Sequence, residues 1–117
     1  MMKKEGFPKE IRIKKDLEFK EVIKKGEKKI GEKLILFILK KDNTSLKFGI
    51  RVDKTIKKAT KRNRIKRIIR EILRKRKDKF LPGDRIVVVY KSLKENVKLK
   101  ELQKDFDNLV HMHQEMR

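Results

Sequence analysis

The sequence predicts a single α/β domain of two layers, in the order helix, two or three strands, helix, strand, helix. Three observations carry that expectation. Residues 45–52 (SLKFGIRV) alternate apolar and polar, the period-2 pattern of a strand with one face in a core. Residues 59–77 (ATKRNRIKRIIREILRKRK) set Ile65, Ile68, Ile69, Ile72 and Leu73 at the i, i+3, i+4, i+7, i+8 spacing of an amphipathic helix. Residues 85–90 (RIVVVY) form a Val-rich strand buried on both faces. Strand, helix and strand in that order make a βαβ unit, so its outer strands run parallel.

The remaining elements follow from punctuation. Residues 1–13 read as an extended basic arm, because Phe7-Pro8 disfavours helix and Ile11 and Ile13 alternate with Arg12 and Lys14. Asp16 is the expected N-cap of a helix that runs to Lys25 and stops at Gly26. In that helix Phe19, Val22 and Ile23 cluster, and Leu17 sits to the side. Residues 26–31 (GEKKIG) form a turn or a short edge strand, and residues 32–40 (EKLILFILK) a strand covered on both faces. Lys41 to Thr44 reads as a hairpin connection. Thr60 falls at the N-cap or first turn of the central helix, which ends near Phe80 before the turn Leu81-Pro82-Gly83-Asp84. Residues 92–96 precede a last helix with Leu99, Leu102, Phe106, Leu109 and Val110 on one stripe. Residues 1–117 make one domain, without repeat or linker.

Charge is the dominant compositional fact. The chain has 117 residues, 37 Lys and Arg against 17 Asp and Glu, and a net charge of +20. The excess is spread along the chain, and a compact domain with such self-repulsion calls for an anionic partner, most commonly nucleic acid. The apolar run 34–39 is far too short to span a membrane, and no apolar stretch follows the N-terminal lysines as in a secretory signal. With no cysteine there is no disulfide framework and no thiolate metal site. The expected location is the cytoplasm.

The cations concentrate on the central helix. Asn63, Arg67, Arg70 and Arg74 lie within an arc of roughly 60° opposite the isoleucines, flanked by Arg64 and Lys66. Glu71 is the sole acid there, so Lys66–Arg70 and Arg70–Arg74 set like charges four apart. A solvated surface helix alternates signs at that spacing instead, which makes a polyanion the natural counterpart. A second cationic surface follows from the strand alternation. If Leu46, Phe48, Ile50 and Val52 face the core, Lys47, Gly49 and Arg51 share the other face, joined by Ile35 and Phe37 of the preceding strand. Cations mixed with apolar and aromatic groups suit base stacking and phosphate binding. A helix covering this face, with the cations at its rim, is the alternative, and the strand alone favours it.

Catalytic constellations are missing. His111 and His113, two apart, diverge on a helix and are expected at the surface. Asp53 and Asp84 read as turn residues. There is no H-x-x-E, no Gly-rich phosphate loop, no pair of carboxylates on one strand and no nucleophile elbow around Ser45 or Ser92. The protein by itself is not expected to catalyse a reaction.

Residues 61–71, K-R-N-R-I-K-R-I-I-R-E, closely resemble the RNR motif of the bacterial ribonuclease P protein family. Residues 13–26 (IKKDLEFKEVIKKG) resemble that family's first helix, residues 46–54 (LKFGIRVDK) its strand with an internal glycine, and residues 85–90 its late Val/Ile strand. The blocks are collinear and cover most of the chain. The resemblance implies the order α-β-β-β-α-β-α with a left-handed βαβ crossover, where a sequence-only argument favours a right-handed one. It implies as partners the catalytic RNA of ribonuclease P and precursor tRNA, with Mg²⁺-dependent cleavage of the 5′ leader performed by the RNA. No protein partner, no membrane and no metal site on the protein are expected. Carried onto this chain, Arg62, Asn63, Arg64, Lys66, Arg67, Arg70 and Arg74 bind RNA. Lys54, Lys57 and Lys58 lie in the loop before the helix. Phe19, Ile23, Ile35, Phe37, Lys47 and Arg51 line a leader-binding cleft. Three positions depart from the family: Lys57 replaces a loop glycine, Ile23 stands where an aromatic is common, and Arg51 where a small polar residue is common. The competing readings are a ribosomal or other architectural nucleic-acid-binding protein without a role in cleavage, and a metal-dependent nuclease, which the missing carboxylates disfavour.

Overall fold

The computed structural model describes residues 11–41 and 45–115. Its elements are α1 (Asp16–Lys25), β1 (Glu27–Ile30), β2 (Leu34–Lys40), β3 (Lys47–Val52), α2 (Ala59–Lys75), a 3-10 turn (Lys77–Lys79), β4 (Asp84–Tyr90) and α3 (Leu99–Glu115). The expected order α-β-β-β-α-β-α is therefore present. The expected N-terminal arm lies mostly outside the described residues. Its end docks on β3, where Arg12 forms a parallel bridge to Phe48 and the Ile13 N–H donates to the Phe48 carbonyl at 2.7 Å.

The four strands form one sheet in the order β1-β2-β4-β3. β1 and β4 flank β2 antiparallel, and β3 pairs parallel with β4, as the βαβ reading requires. The expected hairpin at residues 41–44 is corrected: β4 lies between β2 and β3, so those two strands do not pair. The Lys41 N–H donates to the Gly83 carbonyl, and residues 42–44 lie outside the described set. The reason is burial. β2 and β4 are the most apolar strands and take the centre, while the charged β1 and β3 take the edges. Gly83, with φ of 90°, makes the turn into β4, a conformation that favours glycine.

The main core lies between the sheet and α2 and α3. Leu34, Leu36, Ile38, Phe48, Val52, Ile86, Val88 and Tyr90 from the strands meet Ile65, Ile69, Ile72 and Leu73 of α2 and Leu102, Phe106, Leu109 and Val110 of α3. The two helix stripes read from the sequence thus both face inward, except that Leu99 stays exposed. Phe80 fills the core between Phe48 and Phe106 in edge-on contacts. α1 packs on the opposite face, against β2 and β4, and adds a partial third layer to the expected two.

Several local expectations change. Asp16 does not cap α1. Lys15 is the N-cap, without a side-chain cap bond, and the Asp16 carboxylate turns to Arg51 at 2.8 Å and Lys20 at 3.3 Å. Two cationic partners outweigh one backbone N–H. Gly26 does end α1, its N–H donating to the Val22 carbonyl. Thr60 sits in the first turn of α2, behind an N-cap at Lys58. α2 stops at Lys75, short of the expected end, and the 3-10 turn carries the chain to Phe80. Asp53 and Asp84 are turn residues as expected, accepting from the N–H groups of Thr55 and Leu81. His111 is exposed, but His113 is buried, with Nδ1 3.6 Å from Glu27. The end of α3 lies over β1, so only one of the two diverging imidazoles reaches solvent. Asp105 anchors α3, accepting from the N–H groups of Glu32, Lys33 and Leu34 at 2.9, 3.0 and 2.9 Å.

Candidate RNA interface

The two cationic surfaces expected from the sequence are both present, and each is modified by contacts within the protein. On α2 the apolar stripe fixes the helix, so the opposite stripe faces outward. Asn63 and Arg67 are exposed there, and Lys66 and Arg70 are half-buried. Burial first, and then the neighbouring charges of Arg12 and Arg67, hold Arg70 below its ordinary pKa. Three of the expected RNA-binding residues have intramolecular roles. Arg62 donates to the carbonyls of Ile56 and Lys57 at 2.7 and 2.9 Å and so shapes the loop that leads into α2. Arg64 reaches the Glu95 carbonyl at 3.5 Å. Arg74 is held by Glu71 through two bonds, of 2.8 and 3.1 Å, which neutralise it. Lys54, Lys57 and Lys58 stand exposed around buried Ile56.

The second surface is the sheet face under α1. Register sets its rows. Ile30, Ile35, Val89 and Arg51 form one row; Lys28, Phe37, Val87 and Gly49 the next; Leu39, Arg85 and Lys47 the third. α1 covers the middle row: Ile13, Val22, Phe37 and Val87 are buried together, with Phe19, Ile23, Ile35, Leu39 and Val89 half-buried around them. A helix does cover this face, then, but only part of it. The first row stays accessible, with Phe19 and Ile23 as its wall. Gly49 allows this arrangement. A Cβ at Gly49 would lie 2.5 Å from Cε1 of Phe19, so only glycine lets the ring come this close to β3.

Four of the six expected cleft residues, Phe19, Ile23, Ile35 and Phe37, therefore meet in one cluster. Phe37 is buried, with the Lys28 ammonium 5.9 Å from its ring centroid. Arg51 joins through Phe19, its guanidinium carbon 4.7 Å from the ring centroid. Lys47 does not join. Phe19 over Gly49 separates it from Arg51, and Lys47 faces a cationic cavity of about 770 Å³ beside α1, lined also by Arg12, Lys14, Lys24 and Lys41. The sequence reading missed Val89 and Lys28, because a continuous Val run and a short charged strand carry no facial signal of their own. It also missed Arg85. This buried arginine bonds Glu18 of α1 at 3.1 Å and the Ser45 carbonyl at 2.6 Å, clamping α1 to the sheet. Among the described residues no group of three or more His, Asp or Glu is placed to hold a metal ion.

The pairing of a cationic helix with a cation-rimmed sheet face has a known setting. The family model for ribonuclease P matches residues 7–114. The chain belongs to the ribonuclease P protein family. It is 35% identical over 99 residues to the ribonuclease P protein component of Clostridioides difficile, covering 84% of this chain and 87% of that one. It is 33% identical over 105 residues to that of Dictyoglomus thermophilum, covering 90% and 87%. Among solved structures it is similar to the Staphylococcus aureus RNase P protein, with a TM-score of 0.77 and 25% identity over 88% of this chain and 94% of that one. It is also similar to the Thermotoga maritima RNase P protein, with a TM-score of 0.74 and 27% identity over 85% and 94%. Membership in the ribonuclease P family gives the chain a role in tRNA processing, as the protein part of a ribonuclease ribonucleoprotein.

Proposed function

We propose that the protein binds the catalytic RNA of ribonuclease P with the outer stripe of α2, and the 5′ leader of precursor tRNA with the accessible rows beneath α1. Cleavage at the tRNA 5′ end is assigned to the RNA, and Mg²⁺ to the RNA as well. The protein contributes charge neutralisation and leader contacts, acts without a further protein partner, and works in the cytoplasm beside its RNAs.

The observation that supports this most is the charge left uncompensated on α2. Among the described residues, Lys66, Arg67 and Arg70 have no ion-pair partner, while cations elsewhere, such as Arg74, Arg76 and Arg85, do. The α1 face supplies the second requirement, half-buried apolar and aromatic groups rimmed by Lys28 and Arg51, a composition suited to unstacked bases and their phosphates.

Reconstitution tests the proposal. Protein added to ribonuclease P RNA and precursor tRNA at low Mg²⁺ is expected to raise 5′ cleavage well above that of RNA alone. No gain contradicts the assisting role and leaves an architectural RNA-binding role; cleavage by the protein without RNA contradicts the assignment of the chemistry to RNA.

A further inference from the structure

The loop between β3 and α2 is tied down along most of its length. The Thr55 N–H donates to the Asp53 carboxylate at 3.0 Å, and the Ile56 N–H to the Asp53 carbonyl at 3.1 Å. The Ile56 side chain is 1% exposed and belongs to the main core. Arg62, in the first turn of α2, reaches back to the same loop. Its Nη1 donates to the Ile56 carbonyl at 2.7 Å and to the Lys57 carbonyl at 2.9 Å. A guanidinium Nη carries two hydrogens, so both are used within the protein. Bonds from a charged donor are stronger than neutral ones, which makes this a firm tether. Arg67, further along the helix, is exposed and makes no such bond. On either side of buried Ile56 the lysines turn the other way: Lys54, Lys57 and Lys58 are all exposed.

We propose that Arg62 is a positioning residue for RNA binding and not itself an RNA ligand: it fixes the 53–58 loop so that Lys57 meets a backbone phosphate of the catalytic RNA. The inference rests on the reading of α2 as the catalytic-RNA surface and deepens it. A lysine head is a compact point charge on a flexible stem, so its grip on a phosphate depends on where its backbone is held. Arg62 holds the carbonyl of Lys57 itself and the carbonyl before it. Without those two bonds the stretch between buried Ile56 and the start of α2 must be ordered when RNA binds, and that ordering is taken from the affinity. Lys57 stands where the resemblance leads one to expect a glycine, so this contact is the chain's own feature.

The test measures the affinity of the full chain for ribonuclease P RNA across a range of salt concentrations. It compares wild type, Lys57→Ala, Arg62→Met and the double variant. Lys57→Ala is expected to keep the melting temperature and to lower the slope of log affinity against log salt by about one counterion. Arg62→Met is expected to lower the slope by a similar amount. The double variant is expected to lose about one counterion in all rather than two, because Lys57 no longer contributes once its tether is gone. An Arg62 with a merely structural role would shift the melting temperature and leave the effect of Lys57→Ala intact in the Arg62→Met background, which overturns the proposal. Arg62→Gln runs the same cycle should Arg62→Met not fold. Additive losses of about two counterions overturn it as well, since Arg62 then acts on the RNA by itself. So does an unchanged slope in Lys57→Ala. Wild-type binding without salt dependence overturns the reading of α2 as an RNA surface, a result distinct from each of these.

Discussion

The two faces of the sheet are built from alternate residues of the same strands, yet they differ in kind. The face under α2 and α3 is closed and apolar, with Leu34, Phe48, Ile86 and Tyr90 all near zero exposure. The face under α1 has a core of four buried residues with cations around it, and its charged groups are fixed by ion pairs such as Glu18–Arg85 and Asp16–Arg51. The first face holds the fold together. The second gives up part of its burial so that apolar and cationic groups remain reachable. A one-residue shift in strand register would exchange the two, so the alternation in residues 45–52 fixes which side chains each face presents.

Substitutions can break or sharpen that contrast. The largest effect is expected from Ile69→Ala in the closed core, a loss of about 2–5 kcal/mol in urea unfolding. Ile23→Ala on the half-open face is expected to cost clearly less; equal costs would erase the difference between the faces. Glu18→Ala removes the Glu18 carboxylate from Arg85 under α1 and is expected to cost about 1–3 kcal/mol, below the fully buried case because Glu18 keeps some solvent access. Gly49→Ala pushes the new methyl into Phe19, with an expected destabilisation of about 1–3 kcal/mol. It should also weaken precursor tRNA binding, because the Phe19 wall moves. Wild-type stability and affinity would show that the close approach is not required.

On α2 the effects move from stability to salt dependence. Arg67→Ala is expected to reduce the slope of log affinity against log salt by about one counterion, with little change in melting temperature. Arg74→Ala is expected to change the slope less, since Glu71 already neutralises that guanidinium. Equal slopes for the two variants would mean that the intramolecular pair does not matter for RNA binding.

The smallest effect is pH dependence. Hydrogen bonds from Lys20 and then Arg51 lower the Asp16 pKa, and hydrogen bonds from Lys41, Arg74 and Lys94 lead the lowering of Glu21, Glu71 and Glu101. A depressed carboxyl contributes stability above its unfolded pKa, near 3.8 for Asp and 4.5 for Glu, and loses it as pH falls through the lower folded value. The melting temperature should therefore be level in this respect above about pH 5 and fall on acidification below about pH 4. Because these groups are exposed, the fall should be shallow and further reduced by salt.

Much of this arrangement was legible in the sequence because it rests on short-range periodicity. The isoleucine stripe of α2, the alternation of β3 and the parallel βαβ pairing all follow from spacing within one or two elements. The strand order does not. Residues 41–44 read as a hairpin turn, but whether β2 pairs with β3 or admits β4 depends on which strands need burial at both edges. The roles of Arg85, Asp105 and His113 escaped for a similar reason. Each is a polar residue buried by partners far away in the chain, Glu18 for Arg85, the Glu32–Leu34 amides for Asp105 and Glu27 for His113. Among the candidate site residues, the pattern placed Ile35, Phe37, Lys47 and Arg51 on one face, but only the crossing of α1 at Gly49 parts Lys47 from Arg51.

The most direct measurement uses the absence of cysteine from the chain. Single Val89→Cys and Asn63→Cys variants, labelled with a short photocrosslinker and assembled with ribonuclease P RNA and precursor tRNA, report what each surface touches. The account predicts that position 89 crosslinks to the 5′ leader and gives no product with mature tRNA, while position 63 crosslinks to the catalytic RNA with either substrate. Crosslinks from both positions to the same RNA would contradict the division of the molecule into a leader face and a catalytic-RNA helix.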